Sequence, residues 1–215
     1  LRHKNRAIML WDYENIILQE FPDIYRVKCL NHTNTKSFLA AGCVTVVVVP
    51  DTVNKNMFNI LQPRVSTAYL NKIKKYVSQL TSLHVNLDVI NPDYEELEII
   101  TEVKFYDQYD VALYKLELNQ DLKKYLSPWA FDDAKNVEFG VTLHRSVLID
   151  FIERLPYVDY ILSLDMKVGK IGQMREPVKN ATPTSPKSIL VSVEQHDIST
   201  VEVSGQTVTT IEVEC

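Results

Sequence analysis

The sequence is poor in glycine and in cysteine, and both shortages exclude classes of protein. Only 5 of its 215 residues are glycine, at positions 42, 140, 169, 172 and 205, and their spacing gives neither of the glycine-rich loops that cradle phosphate groups. The commonest nucleotide-dependent enzymes are therefore excluded. The 3 cysteines include no CxxC pair, which argues against the disulfide framework of a small secreted domain.

The chain also lacks a long apolar run and an excess of basic charge. The longest apolar stretch, residues 44–49, is far too short to cross a bilayer. Nucleic-acid binders usually present a basic face, whereas 28 acidic residues outnumber 23 basic ones here and leave a net charge of −5. We therefore expect neither a membrane nor a nucleic acid as a partner. The 46% share of apolar residues is that of a globular protein.

Two segments share the same predicted order of helix, proline stop and strand. In the first, Asp12 is the expected N-cap of a helix that ends before Pro22, and a strand begins at Ile24. In the second, a helix ends before Pro156 and a strand begins at Val158. We predict that Ile24 and Val158 point into the core. The similarity fits either two related α/β modules or two unrelated tight turns.

Two alternating segments in the middle of the chain give the clearest β-strand signal. Apolar side chains recur at every second position over residues 83–89 and again over 97–105. The Asn-Pro-Asp sequence at 91–93 is typical of a turn, so we predict an antiparallel hairpin. Charged residues beside a turn are usually solvated, and we expect this of the carboxylates there. These are Asp93, Glu95, Glu96 and Glu98.

A buried strand and two further helices complete the expected body. Residues 43–49 form a continuous run rich in β-branched side chains, which predicts a central strand buried on both faces. One helix is expected after Ser66 or Thr67 and another after Asp110, because each of these residues is a good N-cap. Four leucines of the second helix are expected to face the core, namely Leu113, Leu116, Leu122 and Leu126.

These elements predict an α+β fold with small mixed or antiparallel sheets, covered by helices on one face, and a β-rich C-terminal tail. The tail strands are expected at 189–193, 200–203 and 207–213. The predicted segments are an N-terminal α/β module truncated at its start (1–50), a central α+β module (51–165), a linker (166–188) and the tail (189–215). Because the first tail strand is apolar and uncharged, we expect it to dock by strand addition, onto its own body or onto a neighbouring subunit.

The side chains that could take part in catalysis are not arranged in a catalytic pattern. None of the 5 histidines lies in a known nucleophile motif. Cys29 and Cys43 fall in predicted strands and are expected to be reduced and unligated, because a zinc site needs four ligands at usable spacing. We therefore predict no enzymatic activity, no cofactor and no metal. A hydrolase would instead need a deep pocket that holds His84, His144 or His196 beside an acid.

A family resemblance runs through most of the chain. Its segments resemble, in order, those of the baseplate J-like family, whose members form wedges in phage tail baseplates and in phage-tail-like contractile injection particles. The resemblance covers about residues 6–165 and rests on the ordered set rather than on one motif. The matching segments are 6–14, 21–29, 42–50, 83–85, 92–94, 126–128, 139–140 and 156–160.

The resemblance implies a non-enzymatic assembly protein of the baseplate. Its implied partners are other baseplate wedge subunits and the proteins near the spike and tube, and it would reside in the bacterial cytoplasm during assembly and then in the particle. Family members are usually longer, so the chain is expected to be a C-terminal piece. The family often has glycines between Pro128 and Gly140, whereas this chain begins that loop with Trp129.

Two alternatives to the wedge interpretation remain, a surface module that binds carbohydrate or protein through its tail strands, and the hydrolase. Candidate interface residues are the aromatic side chain after a proline and the apolar run of the tail. They are Trp129, Ile189, Leu190 and Val191. A homo-oligomer is a further expected form of assembly.

Overall fold

The structure, a computed structural model, describes residues 6–34, 37–52, 59–131 and 139–201. Within these ranges the chain forms four α-helices, one 3-10 turn at Pro128–Ala130 and ten strands, which confirms the predicted α+β fold. The helices are α1 (Leu10–Glu20), α2 (Thr67–Ser78), α3 (Val111–Leu126) and α4 (Arg145–Glu153). The strands are β1 (Ile24–Asn31), β2 (Cys43–Pro50), β3 (Asn86–Ile90), β4 (Asp93–Phe105), β5 (Leu143–His144), β6 (Val158–Lys170), β7 (Glu176–Val178), β8 (Asn180–Ala181), β9 (Ser188–Ser192) and β10 (Asp197–Thr200).

The first sheet has the strand order β1-β2-β3. Strand β1 is antiparallel to β2, and β3 is parallel to it. The β-branched run of β2 lies in the centre, where the side chains of residues 46–49 are fully buried, as predicted. Helices α1 and α2 cover one face and contribute Ile17, Ile73 and Val77 to the core.

The second sheet is organised around β4, which pairs with three other strands. Strand β6 pairs with β4 along its whole length in antiparallel direction. On the other side of β4, β9 and β10 follow one another, and both run parallel to it. Strand β7 extends the sheet beyond residues 166–168 of β6. Residues 166–188, expected as a linker, therefore include the end of β6 and the strands β7 and β8.

The predicted hairpin between the two middle strands is wrong, because β3 and β4 belong to different sheets. The turn between them is held by residues far away in sequence. The side chain of Asn91 accepts from the N–H of Val65 at 2.8 Å and donates to its carbonyl at 2.9 Å. The hydroxyl of Tyr94 donates to the carbonyl of Pro63 at 2.6 Å. These contacts direct the chain out of the first sheet and into the second.

The beginnings and ends of the helices follow the sequence with one exception. Pro22 and Pro156 each separate a helix from a strand, and Ile24 and Val158 are buried as predicted. The hydroxyl of Ser66 accepts from the N–H of Tyr69, and the carboxylate of Asp110 from that of Leu113, so both predicted N-caps are confirmed. Asp12 is not the N-cap of α1.

Helix α1 begins earlier, with Met9 as its N-cap. The carboxylate of Asp12 lies in the first turn and accepts from the N–H groups of Met9 at 2.8 Å and Ile8 at 3.1 Å. It therefore satisfies the free donors of this helix end from inside the helix, which is also where a negative charge favours the helix dipole.

Helix α3 buries fewer of its leucines than its sequence predicts. Leu122 and Leu126 are buried together with Leu118, but Leu113 and Leu116 are exposed. The prediction was wrong for these two because the inward stripe is set by contact with β9 and β10, which reach only one face of the helix.

The tail contributes two strands to the second sheet. Strand β9 confirms the predicted strand at 189–193. The predicted strand at 200–203 shares only Thr200 with β10, and its residues 202–203 lie outside the described residues. The predicted strand at 207–213 lies outside the described residues. Ile189 and Val191 of β9 pack against Tyr94 of β4 and Val49 of β2, so this small cluster joins the two sheets.

Candidate functional site

The carboxylates of β4 make contacts with remote parts of the chain, and the expectation that all of them are solvated was wrong. Glu95 is buried, and its carboxylate accepts from both the N–H and the hydroxyl of Thr184. Asp93 lies 3.1 Å from the ammonium of Lys187. These contacts tie β4 to Thr184 and Lys187, and burial leaves Glu95 no access to a reacting molecule.

Arg175 is the cation that pairs with two further carboxylates of β4, those of Glu96 and Glu98. Its guanidinium lies 2.7 Å from the carboxylate of Glu96 and 3.4 Å from that of Glu98, and all three side chains are at least two-thirds buried. A Cβ at Gly169 would lie only 2.9 Å from the Cα of Arg175, so β6 needs glycine there to let the arginine approach. The pKa of Arg175 is raised, mainly by the hydrogen bond to Glu96.

We expect Arg175→Leu to destabilise the protein by about 2 kcal/mol, because it leaves two mostly buried carboxylates without their cation. Urea unfolding of the full chain measures this change. Arg154→Leu is the matched control, since the pair of Arg154 with Asp150 is on the surface, with side chains 77% and 58% exposed. The control should change stability by less than about 0.5 kcal/mol. Equal losses in the two variants would contradict the role given to Arg175.

Among the buried side chains, His196 is the best suited to acid–base chemistry. It lies between β9 and β10. Its Nδ1 accepts from the N–H of Ile99 on β4 at 3.1 Å, and its Nε2 lies 3.0 Å from the hydroxyl oxygen of Ser192. Burial lowers the pKa of His196 to about 4, with the positive charges of Lys123 and Arg175 as smaller causes. The histidine is therefore neutral at pH 7.

The hydrogen bonds fix the tautomer of His196 and show that it does not activate Ser192. Because Nδ1 accepts from a backbone N–H, the ring proton lies on Nε2, which donates to the hydroxyl of Ser192. That hydroxyl donates in turn to the carbonyl of Val193 at 2.8 Å. A base must accept a proton from its nucleophile, and here the direction is reversed. The pair of His196 and Ser192 therefore has a structural role.

The other two histidines that a hydrolase would need lie at the surface. His84 is exposed in the turn before β3, and His144 is exposed at the start of α4. A surface depression of about 610 Å³ lies elsewhere, and its lining includes none of the three histidines. It is lined by Asn59, Ile60, Leu61, Lys123, Phe131, Glu194 and Gln195.

The cysteines and the described acidic side chains show no metal-binding arrangement. Cys29 is buried, which raises the pKa of its thiol to about 12, and Cys43 is half-buried. Over residues 6–34, 37–52, 59–131 and 139–201, no group of three or more His, Cys, Asp or Glu side chains is placed to hold a metal ion. In the same ranges no helix is long and apolar enough to cross a membrane.

Two of the four candidate interface residues, Ile189 and Val191, lie in the small cluster that joins the sheets. Ile189 and Val191 are buried in their own chain, and Leu190 is half-buried. The tail thus adds its strand to its own body, so these side chains are not presented to a glycan. Trp129 lies in the 3-10 turn that follows α3. Contact of these four residues with another subunit stays a prediction.

Large apolar side chains are instead exposed at one end of the first sheet, which we call the apolar end. It comprises the start of α1, the loop before β2 and the turn before β3. Ala7 donates its N–H to the carbonyl of Leu80 at 2.7 Å, and Asn86 donates to that of Gly42 at 2.8 Å, so the three segments are adjacent. The exposed side chains are Ile8, Met9, Leu10, Trp11, Phe38, Leu39 and Leu83.

Polar side chains link strands inside the molecule, and large apolar side chains are exposed at the apolar end, a combination that is typical of proteins that contact other proteins. The chain belongs to the PVC11-like family of baseplate proteins, whose model matches residues 1–195. This assignment confirms the resemblance to baseplate proteins that the sequence indicated.

One solved structure supports the fold. The chain is similar to a chain in the cryo-EM structure of the anti-feeding prophage baseplate, with 19% sequence identity and a TM-score of 0.68. The match covers 88% of this chain and 38% of that chain, so this chain spans well under half of the other's length. A comparison with curated proteins gave no match.

The sequence missed Arg175 and the buried contacts of Glu95 and His196, because most of their partners are remote. Apart from the pair of His196 with Ser192, the hydrogen bonds of these three side chains join residues 77 to 97 positions apart. No local pattern of apolar and polar residues reports such a pair. The only available signal was the number of carboxylates in one strand, which requires a cation if the strand is buried.

Proposed function

We propose that this chain is a structural wedge component of a contractile phage-like baseplate and that it assembles by protein–protein contacts. The observation that carries the proposal is the family match over residues 1–195. The likeness to a baseplate chain of the anti-feeding prophage agrees with it in fold. Its partners would be other wedge subunits and proteins near the spike and tube, met first in the bacterial cytoplasm and then in the particle.

The proposed role is structural rather than enzymatic. In the buried pair, His196 donates to Ser192, which is the wrong direction for nucleophilic catalysis. The carboxylates of β4 are engaged in internal hydrogen bonds and ion pairs. Both groups hold the tail and the segment 175–187 on β4.

We expect the full chain, co-expressed with the other baseplate proteins of its particle, to be incorporated into the baseplate at a fixed number of copies per ring. Gradient sedimentation followed by quantitative mass spectrometry measures the copy number, and electron microscopy locates a label on the chain. The same preparation should show no turnover of ester, phosphoester or glycoside substrates. A wild-type chain that stays outside the sedimenting baseplate would overturn the wedge role, and turnover lost in Ser192→Ala would overturn the non-enzymatic role.

A further inference from the structure

The second sheet is covered fully on only one of its two faces. Helices α3 and α4 pack on that face and bury its apolar side chains. On the other face, Tyr94 packs against the first sheet near the start of β4, and Arg175 lies over the middle of the strand. Toward the end of β4 the neighbouring side chains on β6 and β10 are exposed. We call this part the open face, and it comprises Ile100, Glu102, Lys104, Tyr160, Asp165 and Asp197.

The register of the strands places three carboxylates side by side on the open face. Asp165 of β6 and Asp197 of β10 both lie opposite Ile100 of β4. Glu102 follows Ile100 on the same face of β4 and is therefore the diagonal neighbour of both aspartates, within about 8 Å. Among the described residues, no ion pair involves any of these three carboxylates. Their charges repel one another.

The nearest cations are already engaged with other carboxylates. The ammonium of Lys104 lies 2.6 Å from the carboxylate of Asp107, and its side chain is mostly buried. Toward the start of β4, Lys167 and Arg175 are balanced by two glutamates of that strand. The open face therefore keeps three uncompensated negative charges. Like charges on neighbouring strands lower stability, so the fold itself does not explain their presence.

Apolar side chains lie beside these charges. Ile100 is half-buried between the two aspartates, and Tyr160 on β6 is 44% exposed. The register between β4 and β6 shifts from Ser163 to Ile161, which leaves Leu162 without a partner on β4. Such a bulge turns a side chain out of the strand, and Leu162 is 54% exposed. An apolar centre that includes an aromatic ring, with charge around it, is the composition of a protein interface.

We propose that the open face is a docking surface for another baseplate protein, whose contact face presents lysine or arginine side chains around an apolar centre. The inference rests on the proposed function and adds the charge of the partner, which follows from the uncompensated carboxylates. A second copy of the same face fits less well, because its carboxylates would meet those of the first. Nucleic acids and anionic lipids are repelled in the same way. A bare metal ion also fits less well, because the carboxylates of the described residues form no group placed to hold one.

The first test compares the reactivity of the carboxylates in the free chain and in the assembled baseplate. Labelling with a carbodiimide and glycine ethyl ester, read by mass spectrometry, reports each exposed Asp and Glu. We expect Asp165 and Asp197 to be labelled at least about fivefold more slowly in the baseplate, because the partner covers them. Equal labelling in the two states would overturn the docking surface. Equal protection in the free chain at high concentration, or with calcium chloride alone, would overturn the choice of partner.

The second test removes the three charges from the full chain while it keeps the size of the side chains. The combined variant Glu102→Gln, Asp165→Asn and Asp197→Asn should be incorporated into the baseplate at least about tenfold less than the wild type. Its urea midpoint should rise, because the repulsion between the carboxylates is gone. The matched control removes three exposed carboxylates elsewhere and should be incorporated normally. Its substitutions are Glu153→Gln, Glu176→Gln and Glu194→Gln.

The two measurements together separate docking from folding. A urea midpoint that falls in the first variant would show that the carboxylates serve the fold, and the proposal would be wrong. If the wild type and the first variant are incorporated equally, or if the control loses as much incorporation, the docking surface is wrong while the wedge role stands. If the wild type itself is not incorporated, the wedge role fails and this inference fails with it.

Discussion

Removing residues 188–215 is expected to destabilise the body of the protein severely, because the deletion takes away two strands of its larger sheet. Strands β9 and β10 pair with β4 along residues 93–97 and 100–103. Ile189 and Val191 are 2% and 0% exposed, and each fully buried side chain of this size contributes about 1.5–3 kcal/mol. That loss alone is a large part of the roughly 5–15 kcal/mol by which a domain is stable.

The deletion also exposes what the tail now covers. His196 would no longer accept from the N–H of Ile99, and one side of β4 would lose its ladder of hydrogen bonds. An unpaired strand edge invites aggregation. We therefore expect the shortened chain to be insoluble or to unfold at a much lower urea concentration than the full chain.

A second, smaller deletion separates this explanation from a general effect of shortening. Removing only residues 202–215 leaves every described strand in place, so the difference in urea midpoint between the two shortened chains measures what residues 188–201 contribute. The expectation fails if the chain without residues 188–215 unfolds at the same midpoint as the full chain. In that case the pairing of β9 with β4 would contribute nothing to the stability of the body.

Local signals were sufficient for the parts of this fold that depend on the nearest residues. Pro22 and Pro156 stop their helices because the residue before a proline avoids the helical conformation, and no distant contact alters that constraint. The N-caps Ser66 and Asp110 act on N–H groups three residues away. The central strand β2 was predictable because only a strand buried on both faces tolerates so continuous an apolar run.

Strand pairing was not predictable, since it depends on competition between remote partners. The turn at Asn91 and Pro92 permits a hairpin, but β3 pairs with β2, whereas β4 pairs with β6, β9 and β10. The path of the chain between β3 and β4 is fixed by the hydrogen bonds of Val65 with Asn91 and of Pro63 with Tyr94. Neither residue carries a signal for that role in its own neighbourhood.

The candidate site was only partly predictable, because it also depends on strand pairing. Apolar character in the tail run 189–191 was evident, and the structure places this run on β4. The surface that the structure exposes, with Leu39 and Leu83, was not evident, because the same apolar residues fit a core equally well. Exposure is decided by where the turns at 37–40 and 82–85 point, and this follows from the pairing of β1, β2 and β3.

The protein is expected to lose stability as the pH falls from about 6.5 toward 4, and His196 is the expected cause. In the unfolded chain histidine titrates near pH 6.5, whereas burial lowers the pKa of His196 to about 4 in the folded protein. Between these values the unfolded state binds a proton that the folded state does not, so stability rises with pH across the window. Above pH 6.5 both states are neutral at this residue and the dependence ends.

The size of the effect follows from the shift in pKa. A shift of this size corresponds to about 3 kcal/mol at pH 4, and about 2 kcal/mol of it should be lost between pH 7.5 and pH 5. Urea unfolding at half-unit pH intervals measures this slope. Carboxylates also titrate toward the acidic end of the range, so the wild type is compared with a variant rather than read alone.

His196→Asn is the informative variant, because the side-chain oxygen of asparagine can accept from the N–H of Ile99 but does not titrate. The variant should be less stable than the wild type at pH 7.5, by about 1–3 kcal/mol for the lost bond to Ser192 and the lost packing. This difference should shrink by about 2 kcal/mol at pH 5, because only the wild type is penalised by acid. Ser192→Ala keeps the buried histidine and should keep the wild-type slope. A difference between wild type and His196→Asn that stays constant from pH 7.5 to 5 would show that His196 is not the titrating group, and that the link between the tail and β4 does not depend on its neutral form.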